Sequence, residues 1–224
     1  RCDLDDLKLF CQSSVKDKSG QTIDRMTEKH WLFLANLYNK TRTVIKFEET
    51  DYYALLKRVK KNAVVLKETD LEIVQRACEL ISKKYNNSTV EFGFYHGDFT
   101  PWNTVIENGK IKVFDFEYAK RTYPPYLDAV HYLLQKNFFV DGLNDANQIY
   151  SSLKESSIWK KFDDRRSLEM VIMYLLEIIN LYLSRTSEES LDEKSRQKIR
   201  IEILKRVYRR QGNEKSFAES DHRI

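Results

Sequence analysis

Asn108-Gly109 stands between two short apolar runs, Thr104–Glu107 and Lys110–Phe114. Both central residues of a two-residue hairpin turn need positive φ, so Asn-Gly in this setting is the strongest short hairpin signal. Just upstream, Val90–Tyr95 is β-branched and aromatic and reads as a strand. Residues 90–116 are therefore expected to form a small β-element that carries a loop. Only 6 Gly and 3 Pro occur in 224 residues, too few for a many-turned β-sandwich or a collagen-like repeat. Abundant Lys, Glu and Leu favour helix on both sides of the hairpin. The expected fold class is α+β, mainly α, built on a core that a chain of this length can bury without disulfides or a structural metal.

The flanks carry helical periodicity. From about Thr27, the residues Trp31, Leu32, Leu34, Ala35, Leu37 and Tyr38 cluster as one apolar set. A second helix is expected near Thr50, with Tyr53, Leu55, Leu56 and Val59 inward. Thr69-Asp70-Leu71-Glu72 reads as a capping box opening a third, which runs to about Tyr85-Asn86-Asn87. After Pro124-Pro125, helices are expected over Tyr126–Val140, Asn144–Lys160, Arg166–Ser184 and Ser190–Arg210. The third of these is apolar nearly all round and belongs at the centre of a bundle. The fourth opens on Ser190-Leu191-Asp192-Glu193, another box. Residues 212–224 read as a loose tail.

Charge is nearly balanced, 38 Lys+Arg against 34 Asp+Glu, which gives no footprint for nucleic acid. Cys2, Cys11 and Cys78 are odd in number and widely spaced, which excludes a zinc ribbon or a disulfide framework and suits a reducing, cytoplasmic setting. The run Met170–Leu176 stops at Glu177, so no membrane span is expected.

The chemistry concentrates in His96-Gly97-Asp98-Phe99-Thr100-Pro101-Trp102-Asn103 and in Val113-Phe114-Asp115-Phe116-Glu117. Asp98 and Asn103 share one loop, and the hairpin returns Asp115 beside it. Two carboxylates and an amide oxygen, with no Cys and one nearby His, suit a hard cation such as Mg²⁺. The smaller signals have bland readings. His131 reads as a core or interface histidine. Trp102 reads as packing under the loop, and Glu177 either as a buried, partnered carboxylate or as one that reaches a substrate pocket. Lys205-Arg206 and Arg209-Arg210 read as a solvated helix end.

HGDFTPWN followed by DFEYA resembles the aminoglycoside phosphotransferase and choline kinase group of small-molecule kinases. The resemblance is specific over residues 94–133. It implies the C-terminal lobe of a protein-kinase-like fold over residues 1–211. It also implies an ATP-dependent phosphotransferase acting on a small hydroxyl-bearing acceptor such as an amino alcohol, a sugar or an aminoglycoside-like molecule. By the same resemblance Asp98 is the catalytic base, and Asn103 and Asp115 hold Mg²⁺. His96 and Asp128 support the loop, and Glu117 and Trp102 are placed near substrate or behind the first ligands.

Only Phe116–Leu127 separates Asp115 from Asp128, with no A-P-E after it, so there is no room for a peptide-seating activation loop. No G-x-G-x-x-G and no GxxxxGK occurs. Ala63-Val64-Val65-Leu66-Lys67 imitates a nucleotide-lobe strand but lies only 31 residues before Asp98, too close for the elements a kinase places between them. The chain begins at Arg1, not Met, and the expectation is that a nucleotide-binding lobe lies upstream and that self-association occurs through the face it would cover. The alternative is a catalytically inactive kinase-like scaffold or ligand-binding protein. A glycine-rich hairpin upstream would favour the enzyme, and a start codon just before Arg1 the scaffold.

Overall fold

The computed structural model describes residues 24–185 and 191–213, with the backbone of 2–4 and 7–9. Two short strands, β1 (Cys2–Leu4) and β2 (Leu7–Leu9), pair antiparallel. Helix α1 (Glu28–Thr41) starts where the periodicity does, because Thr27 caps it. The Thr27 N–H donates to His30 Nδ1, and the Thr27 hydroxyl lies 2.9 Å from the same nitrogen. Trp31 and Leu34 are buried, while Leu32 is 61% exposed. The apolar set expected on one face is therefore split, with Leu32 turned to solvent about 100° round the helix from Trp31.

Strand β3 (Thr43–Lys46) follows, then α2 (Asp51–Asn62), whose N-cap Thr50 accepts from the Tyr53 N–H through its hydroxyl at 3.0 Å. Helix α3 (Glu68–Tyr85) begins one residue before the expected box, with Lys67 at the N-cap and no side-chain cap. The N–H groups of Asp70 and Leu71 already reach the Lys67 carbonyl, which leaves Thr69 inside the first turn. Asp70 instead forms an ion pair with Lys205 at 2.8 Å.

Strand β4 (Thr89–Tyr95) is followed by the hairpin of β5 (Thr104–Glu107) and β6 (Lys110–Val113). Asn108 and Gly109 both have positive φ, 48° and 74°, as the turn requires. Strand β7 (Lys120–Tyr123) lies antiparallel to β4, which also pairs with β3, giving the order β3-β4-β7. Neither β3 nor β7 is visible in the sequence pattern. The exposed Val44 gives β3 no alternation, and β7 reads Lys-Arg-Thr-Tyr.

Then come α4 (Leu127–Phe139), α5 (Ala146–Glu155), α6 (Ser157–Lys161), α7 (Asp164–Ser184) and α8 (Leu191–Tyr208), with helical backbone continuing to Asn213. The helix expected over 144–160 is thus two. Ser156 is extended, with ψ 170°, and its hydroxyl accepts from the Ile158 N–H to start α6. The box expected at Ser190 and the tail beyond residue 213 lie outside the described residues.

The molecule is α+β and mainly helical. The all-apolar helix is central, since thirteen of the 21 residues of α7 are buried. Its length and composition would also suit a membrane span, but 72% of that window is covered by the rest of the chain. It packs against α2, α3, α4 and α8.

Candidate active site

The loop after β4 is held from below. Asp128, in the first turn of α4, accepts from the backbone N–H of His96 at 2.9 Å through one oxygen and of Gly97 at 3.0 Å through the other. Burial pushes this carboxyl up to about 7, against the pull of the two N–H donors. His96 is buried, and its Nδ1 accepts from the Asp98 N–H at 3.1 Å. That bond places its proton on Nε2, which is turned towards the Phe114 backbone. Burial brings its pKa down to about 4, with the Phe114 backbone opposing. The ring is an internal brace of the loop, not a base facing solvent.

Gly97 shows why the residue after His carries no side chain. Its φ is +85°, and an added Cβ would stand 2.7 Å from the Tyr118 carbonyl oxygen and Cβ. No L side chain tolerates both conditions. This close approach presses the loop of Asp98 against the segment that follows Asp115. The rings of His96 and Phe116, 4.3 Å apart, close the same seam.

Asp98 is part-buried with both oxygens engaged. Its Oδ2 accepts from Asn103 Nδ2 at 2.6 Å, and its Oδ1 lies 3.2 Å from His131 Nε2. The Asn103 amide also donates to the Asp98 carbonyl. With Nδ2 so occupied, the Asn103 Oδ1 is left as an oxygen donor. Across the hairpin, the Phe114 N–H donates to the Asn103 carbonyl at 3.0 Å, so Asp115 follows directly after a residue bonded to Asn103. Asp115 is exposed and left-handed, with φ 61°. The hairpin therefore brings Asp98, Asn103 and Asp115 to one rim.

The donor set at that rim is carboxylate and amide oxygen. Among the described residues no group of three His, Cys, Asp or Glu side chains could hold a metal. Mg²⁺ does not need one, since it keeps waters and substrate phosphates and takes only one or two carboxylates from protein. Asn103 and Asp115 fit that demand.

Other expectations resolve differently. Trp102 is not under the loop. It is 47% exposed and meets Phe139 edge-on at 5.7 Å. Glu117 is exposed. Glu177 on α7, by contrast, is the buried, partnered carboxylate expected, largely enclosed and accepting from the Tyr123 hydroxyl at 2.8 Å. His131 is buried as expected but touches Asp98, a contact not anticipated. Asp128 and His131 are three apart and share one face of α4, but that this face meets Asp98 depends on how the helix docks. A cleft of about 630 Å³ opens elsewhere, beside Tyr150, Lys205, Arg206 and Arg210. Lys205 pairs there with Asp70 and Glu202, Arg210 with Asp164, and Arg206 lies over the Tyr150 ring.

No family model matches the chain, and neither the curated proteins nor the solved structures give a match.

Proposed function

We propose that this chain carries the base and metal ligands of an ATP-dependent phosphotransferase whose acceptor is a hydroxyl of a small molecule. One observation carries the reading. A single loop, braced by Asp128, presents Asp98 with both oxygens held by N–H donors, while the hairpin sets Asn103 and Asp115 beside it. Asp98 would orient the acceptor hydroxyl and take its proton as the oxygen attacks phosphorus. Asn103 Oδ1 and the Asp115 carboxylate would hold Mg²⁺. That ion, when bound, neutralises charge on the phosphates. Asn103 has a second task, since its Nδ2 fixes the carboxylate that its Oδ1 side would help to serve.

The size of the acceptor follows from what fills the space after Asp115. The segment to α4 is spent on a turn, on β7 and on Pro124-Pro125, with nothing left to seat a peptide. Trp102 and Phe139 stand half exposed beside the loop, a surface for the apolar side of an acceptor.

The experiment is Asp98→Asn in the intact protein, assayed with Mg-ATP against alcohols, amino alcohols, sugars and aminoglycosides. Turnover should fall about 10²–10⁴-fold with ATP binding nearly unchanged. Wild-type turnover in this variant would remove Asp98 from the mechanism. A wild-type protein that transfers phosphate to none of them, yet binds one of the acceptors, would favour the scaffold reading.

A further inference from the structure

The covered side of Asp98 is met by a residue to which the phosphotransferase reading assigns no task. His131 sits on α4, one turn after Asp128, and is 3% exposed. Its Nε2 lies 3.2 Å from Asp98 Oδ1, and its Nδ1 lies 2.9 Å from the hydroxyl of Tyr174 on α7. A carboxylate can only accept, so Nε2 must carry the proton. A neutral ring has one N–H, so Nδ1 accepts and the Tyr174 hydroxyl donates. Burial holds the imidazole below its ordinary pKa, and the Arg200 charge pushes the same way, against the attraction of Asp98. Burial also keeps the Tyr174 proton in place, far above the usual range for a phenol. The chain of donors thus has one direction, from Tyr174 through His131 to Asp98.

We propose that His131 is a positioning residue for Asp98, its Nε2–H holding Oδ1 while Asn103 holds Oδ2, so that the carboxylate keeps one plane towards the acceptor. The terminal torsion of an Asp is broad and roughly two-fold, and a single donor would leave it free to swing. Here one donor comes from the loop and the other from a helix. The helix donor is locked in turn by a buried tyrosine of the central helix α7, and a site is held most precisely by groups so supported. Tyr174 acts at one remove, by setting which ring nitrogen bears the proton.

This inference rests on the phosphotransferase reading, and two measurements separate them. On the 224-residue chain, nitrogen NMR of labelled imidazoles should show His131 in the Nε2–H form. Asp98→Ala should move its Nε2 signal, and Tyr174→Phe should mix the two tautomers. An Nδ1–H ring, or an Nε2 signal indifferent to Asp98→Ala, overturns the inference. On the intact protein with Mg-ATP and the acceptor panel, His131→Ala should lower kcat by about 10–100-fold, the scale set by small misplacements of a reacting group. The KM for ATP should hardly change. His131→Gln keeps an N–H donor and should recover most of the loss, which a purely structural histidine would not predict. Full turnover in His131→Ala, with Asp98→Asn inactive, sinks the positioning role and leaves the reading standing. Full turnover in Asp98→Asn, or none in the wild type, sinks the reading and the positioning role with it. The imidazole signals then report only whether the contact exists.

Discussion

Asn103 and Asp115 differ in a way that sets their expected weights. Asn103 has its amide N–H on Asp98 and offers one neutral oxygen. Asp115 is exposed, sits in a left-handed turn and brings a full negative charge. Asp115→Ala should therefore weaken Mg-ATP binding as well as turnover in the intact protein. Asn103→Ala should affect the metal more mildly but release Asp98. A magnesium titration of activity measures both. The same magnesium dependence in the two variants as in wild type would reject them as ligands. At this scale much was readable in advance. Spacing put Asp98, Asn103 and Asp115 on one loop and hairpin, because a short loop and a two-residue turn leave few ways to place them, and the resemblance added the role proposed for each. His131 was not readable as a neighbour of Asp98, since that contact depends on where α4 docks.

Among the elements, α7 and α8 show how charge is handled inside the bundle. Arg200 on α8 is fully buried, and Glu193 answers it with a carboxylate oxygen 2.5 Å from Nη1. The guanidinium also lies over the Tyr182 ring, 4.2 Å from its centre. Removing one partner of a buried pair strands the other charge. Glu193→Ala should accordingly cost about 3–5 kcal/mol in urea unfolding. A loss below about 1 kcal/mol would mean that Arg200 finds other compensation. On α7, burial raises the pKa of Glu177, with the Tyr123 hydroxyl, Lys120 and Arg58 opposing. A carboxyl with a raised folded pKa holds its proton more tightly folded than unfolded. Its contribution is present at low pH and is lost as pH rises from the ordinary carboxylate range through the folded value. Glu177→Gln removes that loss while an amide oxygen still faces Tyr123. The variant should gain in melting temperature over wild type at pH 8, with the difference narrowing towards pH 5. An equal difference at both pH values would show that Glu177 does not titrate differently on folding.

For the whole molecule, nucleotide affinity is the property on which the proposed function can be tested most directly. The sequence contains no glycine-rich phosphate cradle, and Asp98 and Asp115 bring like charges to one rim. A Mg²⁺ ion held there by Asn103 and Asp115 would need phosphates and waters to complete its shell. Calorimetry on the 224-residue chain should accordingly show Mg-ATP binding weaker than micromolar. Micromolar affinity would reveal a complete nucleotide site within these residues and overturn the reading that they hold only the base and the metal ligands. Folding should not depend on that site, because the described helices already bury a continuous core from Trp31 to Tyr208.

What the sequence determined by itself was everything governed by neighbours along the chain. Asn108-Gly109 specified a hairpin because both residues accept positive φ. The all-round apolar pattern of α7 placed it at the centre, because no polar face was left to meet water. The His96–Asn103 loop and the hairpin after it placed the candidate site. Tertiary structure decided what depends on distant partners. β3 and β7 exist because β4 offers both of its edges, since four residues apiece are too few to establish a strand pattern by themselves. Trp102 faces outward because Phe139 meets it from the end of α4. Gly97 is obligatory because Tyr118, 21 positions later, leaves no room for a Cβ. His131 reaches Asp98 because Asp128, one turn earlier on the same helix, anchors the loop's backbone. Local torsional preference is written in adjacent residues, whereas a contact between side chains far apart in sequence is set only when the packing of whole elements brings them within reach.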